Sequence, residues 1–250
     1  MECNPMTPMR RYDHDVSQKL VSFDGRQKHI AEAFDALYER LMLADLNHKR
    51  VFSFFKKWVG VNSNLRGIYL WGGVGRGKTY LMDLFYECLP FSEKQRIHFH
   101  RFMLSIHEEL ECLQGVRNPL DRIAVRIAEK TKVLCVDEFF VLDIGDAMLL
   151  SGLLEGLFKR GVVFVATSNA HPDSLYKDGL QRDSFLPAIK LIKKYTDVIE
   201  LSGALDYRLR SLTKAVLYHS PHNQDTEQRL YASFVELVPY SEGIRKNETV

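Results

Sequence analysis

Gly72-Gly73-Val74-Gly75-Arg76-Gly77-Lys78-Thr79 places four glycines, a guanidinium, an amine and a hydroxyl in the spacing Gly-x4-Gly-Lys-Thr. That spacing suits the cradling of a phosphate chain. Glycines let the backbone take positive φ and turn its N–H groups toward one centre. A helix beginning at Lys78 adds a dipole that favours an anion at its first turn. Lys78 is expected to reach the β- and γ-phosphates of ATP, and the Thr79 hydroxyl to face Mg2+. Gly72, Gly73, Val74, Gly75, Arg76, Gly77, Lys78, Thr79 and the next residue, Tyr80, make up the expected nucleotide-binding set. The bland alternative is a glycine-rich connection with a chance Lys-Thr. The extra glycines, the apolar run before and the helical pattern after them argue against it.

Val133-Leu134-Cys135-Val136 is an apolar run that ends in Asp137-Glu138. Carboxylates at the C-terminal end of a buried parallel strand stand where ligands bind in open α/β sheets. Asp137 is the expected second holder of Mg2+, through water. Glu138 is the expected general base for an attacking water. An acidic pair at this place favours hydrolysis over transfer to another acceptor. Asp143, a few residues on, reads as a helix cap with Asp146 in the first turn. A second apolar run, Val163-Phe164-Val165-Ala166, turns polar at Thr167-Ser168-Asn169. In ATPases whose central strands lie beside the phosphate loop, Asn169 would orient the attacking water. Arg182 follows at the distance expected of a finger that reaches a neighbouring subunit's γ-phosphate, which implies a homo-oligomer. Its plain alternative is a solvated surface arginine.

The elements that must hold these residues alternate. The pattern predicts strands at 68–71, 96–100, 133–136, 162–166 and 196–201, and helices at 78–88, 103–113, 120–130 and 143–159. Such a βαβα rhythm predicts a parallel sheet covered by helices on both faces. Upstream, Ile30, Phe34, Leu37, Leu41 and Leu46 recur at helical intervals. Asp24 and Gln27 stand in capping-box spacing before them; Gln27 is also a candidate adenine contact. The organisation read from this is a flexible arm over 1–22, a helical segment over 23–64, an ATPase core over 65–204 and a C-terminal extension over 205–250. His98 and His100 alternate on an expected strand and so share a face, with no third metal ligand evident. Lys190, Lys193 and Lys194 read as a solvated face. The lysines and aromatics from Val51 to Trp58 read as packing under the core.

The rest of the chain narrows the function class. Lysine plus arginine number 34 against 32 aspartate plus glutamate in 250 residues, so the net charge of +2 argues against a polyelectrolyte binder, and no nucleic acid is expected. The four cysteines are scattered, which fits neither a disulfide framework nor a zinc ribbon and suits a reducing compartment. No apolar run reaches the about 20 residues of a membrane span. The N-terminus lacks the apolar region of a leader, so a cytoplasmic protein is the expectation. There is no Asn-Lys-x-Asp to read guanine.

Taken together, the motifs resemble the ZapE family of AAA+ ATPases, which is bacterial with mitochondrial relatives. The resemblance runs from about Gln27 to Pro221. It rests on the phosphate loop, on His98-Phe99-His100-Arg101-Phe102-Met103, and on Asp137-Glu138-Phe139-Phe140-Val141 with Asp143-Ile144-Gly145-Asp146-Ala147-Met148. Ala166-Thr167-Ser168-Asn169, Gly179-Leu180-Gln181-Arg182 with Phe185-Leu186-Pro187, and Asp206-Tyr207-Arg208 complete it. It implies an α/β P-loop NTPase of AAA+ or ASCE type, a three-layer sandwich on a central parallel sheet. It also implies an ATPase that uses Mg2+, associates with the tubulin-like division ring protein, remodels its polymers and is recruited to the division site. Family members continue past residue 250, so the C-terminal helical lid is expected to be largely missing; Arg208 and Arg210 are weak substitutes for its sensor arginine. Two other readings share the core: a nucleic-acid loader or initiator, and a nucleotide-gated binding module with little turnover.

Overall fold

The computed structural model describes residues 6–51 and 65–203. The basic aromatic stretch after Val51 and the extension from Leu205, with Arg208 and Arg210, lie outside the described residues.

Short apolar runs set the sheet. Among the described residues five strands, β1 (Gly67–Trp71), β2 (Lys94–His98), β3 (Val133–Asp137), β4 (Val163–Ser168) and β5 (Thr196–Glu200), pair in parallel in the order β2-β3-β4-β1-β5. Parallel neighbours need crossover helices. These are α3 (Lys78–Cys88), α4 (Phe99–Cys112), α5 (Pro119–Lys130), α6 (Ile144–Lys159) and α7 (Arg182–Tyr195). Helices α1 (Pro8–Ser17) and α2 (Gly25–Val51) precede the sheet.

A strand buried on both faces needs apolar residues along its length, and β1, β3 and β4 have them until Asp137 closes β3 and Thr167-Ser168 close β4. Alternate side chains go to opposite layers. Leu134, Val136, Phe164, Ala166 and Tyr69 pack with α4–α7, while Val133, Cys135, Val163, Val165, Ile68 and Leu70 pack with α1–α3. This is the three-layer sandwich expected. Strand β4 lies between β1 and β3, with Trp71 opposite Ser168 and Val136 opposite Ala166. The ends of three strands therefore stand side by side where the expected chemistry sits.

Four local expectations change. Residues 8–17 of the expected arm form α1. Pro8 opens the helix with its fixed φ, and Tyr12 is fully buried, its hydroxyl bonded to the backbone of Asp24. One buried ring among polar neighbours is too sparse for a helical pattern to show. Strand β2 ends at His98 and Phe99 begins α4, so His98 and His100 do not share a strand face. Buried Phe99, Phe102, Met103 and Ile106 follow the helical interval that claims His100. Helix α7 was not expected, because Pro187 interrupts a pattern that Phe185, Ala188, Ile189 and Ile192 otherwise make. Gln27 does not spend its amide on a capping box: Asp24 Oδ1 accepts from the Arg26 N–H at 2.8 Å, and Gln27 donates to the Arg76 carbonyl at 3.0 Å.

Candidate nucleotide site

The phosphate loop joins β1 to α3. Gly75 and Gly77 hold φ of +73° and +92°, the left-handed region that glycine enters without strain. At Gly77 a Cβ would come within 2.6 Å of Gln27 Nε2, so side-chain freedom and space are both refused there. Gln27 thus braces the loop through its amide.

Lys78 Nζ lies across the loop. It donates to the carbonyls of Gly72 at 2.8 Å and Gly73 at 2.7 Å and to Asn169 Oδ1 at 2.9 Å. One amine therefore ties the end of β1 to the residue just past β4. Thr79 is exposed on the first turn of α3. The Tyr80 hydroxyl instead donates to Asp15 Oδ2 of α1 at 2.9 Å. Burial, and then the carboxylate beside it, push that phenol above its ordinary pKa. What Tyr80 offers a phosphate is its backbone N–H.

On the far side of β4, Asp137 closes β3 and is only 4% exposed. Its Oδ2 accepts from Arg96 Nε at 2.6 Å and its Oδ1 from the Thr167 hydroxyl at 3.3 Å. Arg96 Nη1 also pairs with Asp83 of α3. Burial disfavours the Arg96 charge, but the hydrogen bonds and charges of Asp137 and Asp83 outweigh it and raise its pKa further. Glu138 follows in an exposed position with φ +54°. A non-glycine residue held there stores strain of about 1–3 kcal/mol that the surroundings must impose. They do so through β4: the Glu138 N–H donates to Thr167 Oγ1 at 3.1 Å and the Phe139 N–H to the Thr167 carbonyl at 2.7 Å. Ser168 Oγ donates to the Phe139 carbonyl at 2.7 Å. Sequence reasoning missed these contacts of Thr167, Ser168 and Arg96. Thr167 and Ser168 had a signal, the polar turn of an apolar strand; Arg96 had only a charge on an edge strand.

Glu138 and Asn169 line a cavity of about 280 Å³ with His98, Phe99, His100 and Phe140. Both histidines reach it from the β2–α4 junction, and among the described residues no third ligand joins them in a metal cluster. Arg182 opens α7 and folds back, with Nη2 donating to the Asp173 carbonyl at 2.7 Å. The structure thus gathers Lys78, Asn169, Glu138 and Asp137 around the ends of β1, β4 and β3, and turns Tyr80 and Arg182 to other partners.

The residues present fit a triphosphate. Nε and Nη1 of Arg76 are shielded from solvent without a hydrogen-bond partner among the described residues. Unpaired buried donors are costly, and phosphate oxygens held by the loop would be acceptors of the kind they need. Mg2+ in phosphate sites needs only one or two protein oxygens, a donor set that Thr79 and Asp137 match in kind.

Residues 6–250 match the family described as AFG1-like ATPase. The chain belongs to the AFG1-like ATPase family. Among relatives of this AFG1-like chain, "Cell division protein ZapE" of Escherichia coli (strain K12) is 46% identical over 233 residues, covering 90% of this chain and 62% of the relative. "Lactation elevated protein 1 homolog B" of Danio rerio is 44% identical over 184 residues, covering 69% of this chain and 37% of the relative. The chain spans less than two thirds of the length of either. The fold is that of P-loop NTPases: AMPPCP-bound DnaA from Aquifex aeolicus superposes with a TM-score of 0.51 at 14% identity, covering 92% of this chain and 61% of that one. Among the described residues no helix is long and apolar enough to cross a membrane.

Proposed function

We propose that this chain binds ATP with Mg2+, hydrolyses it to ADP and phosphate, and couples the turnover to remodelling a protein assembly. The observation that carries the reading is the Lys78 amine bonded at once to the phosphate loop and to Asn169, beside a strand that ends in Asp137-Glu138.

Mg2+ held by Thr79 and Asp137 would neutralise charge on the phosphates. Every other role belongs to the chain. The loop N–H groups and Lys78 hold the phosphate oxygens, and Lys78 exchanges its carbonyl partners for them. Asn169 orients a water within the cavity. Glu138 takes a proton from that water as its oxygen bonds to the γ-phosphorus. The bond from that phosphorus to the bridging oxygen breaks, and ADP leaves with the electron pair. Arg182 serves a neighbouring subunit by turning outward from Asp173.

The partner is a tubulin-like division ring protein, met in the cytoplasm at the division site. What supports this is the 46% identity to a relative named as a cell division protein.

Phosphate release by the parent chain, Lys78→Ala and Glu138→Gln tests the catalytic half. Both variants are expected to lose turnover by about a hundredfold or more, the range seen when a general base or charge-stabilising group is removed. Glu138→Gln alone should keep binding ATP. Parent-level turnover in either variant contradicts the reading.

A further inference from the structure

Arg96 has no part in the chemistry derived so far, yet it contacts Asp137, one of the two candidate metal ligands. It stands on β2 with its side chain in the layer beneath α3, and its fork touches two carboxylates. Nε meets Asp137 Oδ2 at 2.6 Å, and Nη1 meets Asp83 Oδ1. Asp83 lies one turn beyond Thr79 on the same helix, so the two share a face. Asp137 is buried, its side chain only 5% exposed, whereas that of Asp83 is 44% exposed. A guanidinium keeps its charge at any working pH, and its planar fork can hold two acceptors at fixed positions. Two carboxylates brought this close without a cation would bind a divalent ion through their oxygens. With Arg96 between them they do not need one.

We infer that Arg96 is a positioning residue of the metal site. It fixes Asp137 through Oδ2, leaves Oδ1 among the described residues with the long bond from Thr167 alone, and stands as the resident cation between Asp83 and Asp137. A free divalent ion is thereby kept out until a triphosphate brings it. The inference rests on the nucleotide-site reading, but it has a consequence that needs no nucleotide.

Mn2+ uptake by the full chain, followed by electron paramagnetic resonance with no nucleotide present, reads that consequence. Arg96→Gln is expected to bind Mn2+ roughly tenfold or more tighter than the parent, because a unit charge beside a divalent ion has been removed. Adding Asp83→Asn to that variant should abolish the gain, and Arg96→Lys, which keeps a charge, should stay near the parent. A merely structural role would move stability without moving Mn2+ uptake. Unchanged uptake in folded Arg96→Gln overturns the inference.

If Arg96→Gln does not fold, Asp83→Asn decides, since it alters an exposed carboxylate. Arg96 then belongs to Asp137 alone. The Mg2+ needed for half-saturation by a fluorescent ATP analogue should rise several-fold, with affinity in EDTA unchanged; an unchanged Mg2+ midpoint overturns the inference. A parent chain that binds no analogue at all would instead contradict the nucleotide reading, and with it the inference that rests on it.

Discussion

Thr167 shows how a single side chain can govern the reactive end of a strand. Its hydroxyl accepts from the Glu138 N–H and donates to Asp137 Oδ1, so one oxygen addresses both acidic residues. Thr167→Val keeps the shape and deletes those bonds. It should lower stability by about 1 kcal/mol. It should lower kcat more than it raises the ATP KM, since the carboxylates are misplaced while the phosphate loop is intact; steady-state kinetics with chemical denaturation checks both. At this scale the phosphate loop, Asp137-Glu138 and Asn169 were legible in sequence because each pairs a motif with a strand end. The Tyr80 hydroxyl's bond to Asp15 was not, because nothing local tells a hydroxyl that α1 will pass beside it. Nor was Arg96, whose partners come from two other elements.

Elements place these residues by their ends. Helix α6 starts where Asp143 Oδ1 accepts from the Gly145 N–H at 2.6 Å. Asp143→Ala should cost about 1 kcal/mol by urea unfolding, the ordinary loss of a cap. Gly77→Ala is expected to destabilise more, because the added methyl meets both a positive φ and Gln27. Gln27→Ala in the same chain should restore only part of the loss, since the φ penalty stays. Burial pushes the Cys88 thiol up to about 11 and raises that of fully buried Cys135 in β3 further. A raised thiol pKa leaves less reactive thiolate at a given pH. At pH 8, iodoacetamide should therefore label exposed Cys112 well before Cys88 or Cys135 in the folded chain; early labelling of Cys135 would place β3 wrongly. Strands β1, β3 and β4 and helices α3, α5 and α6 were legible because their apolar patterns are unbroken up to the strand ends. Helix α7 was hidden by Pro187, and the end of β2 by the alternation of Ile97, His98, Phe99 and His100, which passes from strand to helix without a turn residue.

Across the described residues, the order β2-β3-β4-β1-β5 brings residues 78, 137, 138 and 169 together past the C-terminal ends of its three inner strands. Alternation along the chain made the parallel sheet legible, but strand order is a long-range property that local pattern does not carry. The placement of β4 between β1 and β3, which sets Asn169 beside the phosphate loop, comes from the structure. Sharing of catalysis between subunits also belongs to this scale. If Arg182 acts in a neighbour, specific ATPase activity should rise with protein concentration, and Arg182→Ala should flatten the rise without weakening ATP binding; activity independent of both would assign Arg182 to its bond with Asp173.

The central claim is that the loop from Gly72 to Thr79 grips a triphosphate with Lys78. Titration of the chain with ATP and Mg2+ in a calorimeter tests it most directly. The account predicts saturable heat at one site per chain, lost in Lys78→Ala and kept in Glu138→Gln. No heat from the parent chain, or equal heat from Lys78→Ala, would contradict it.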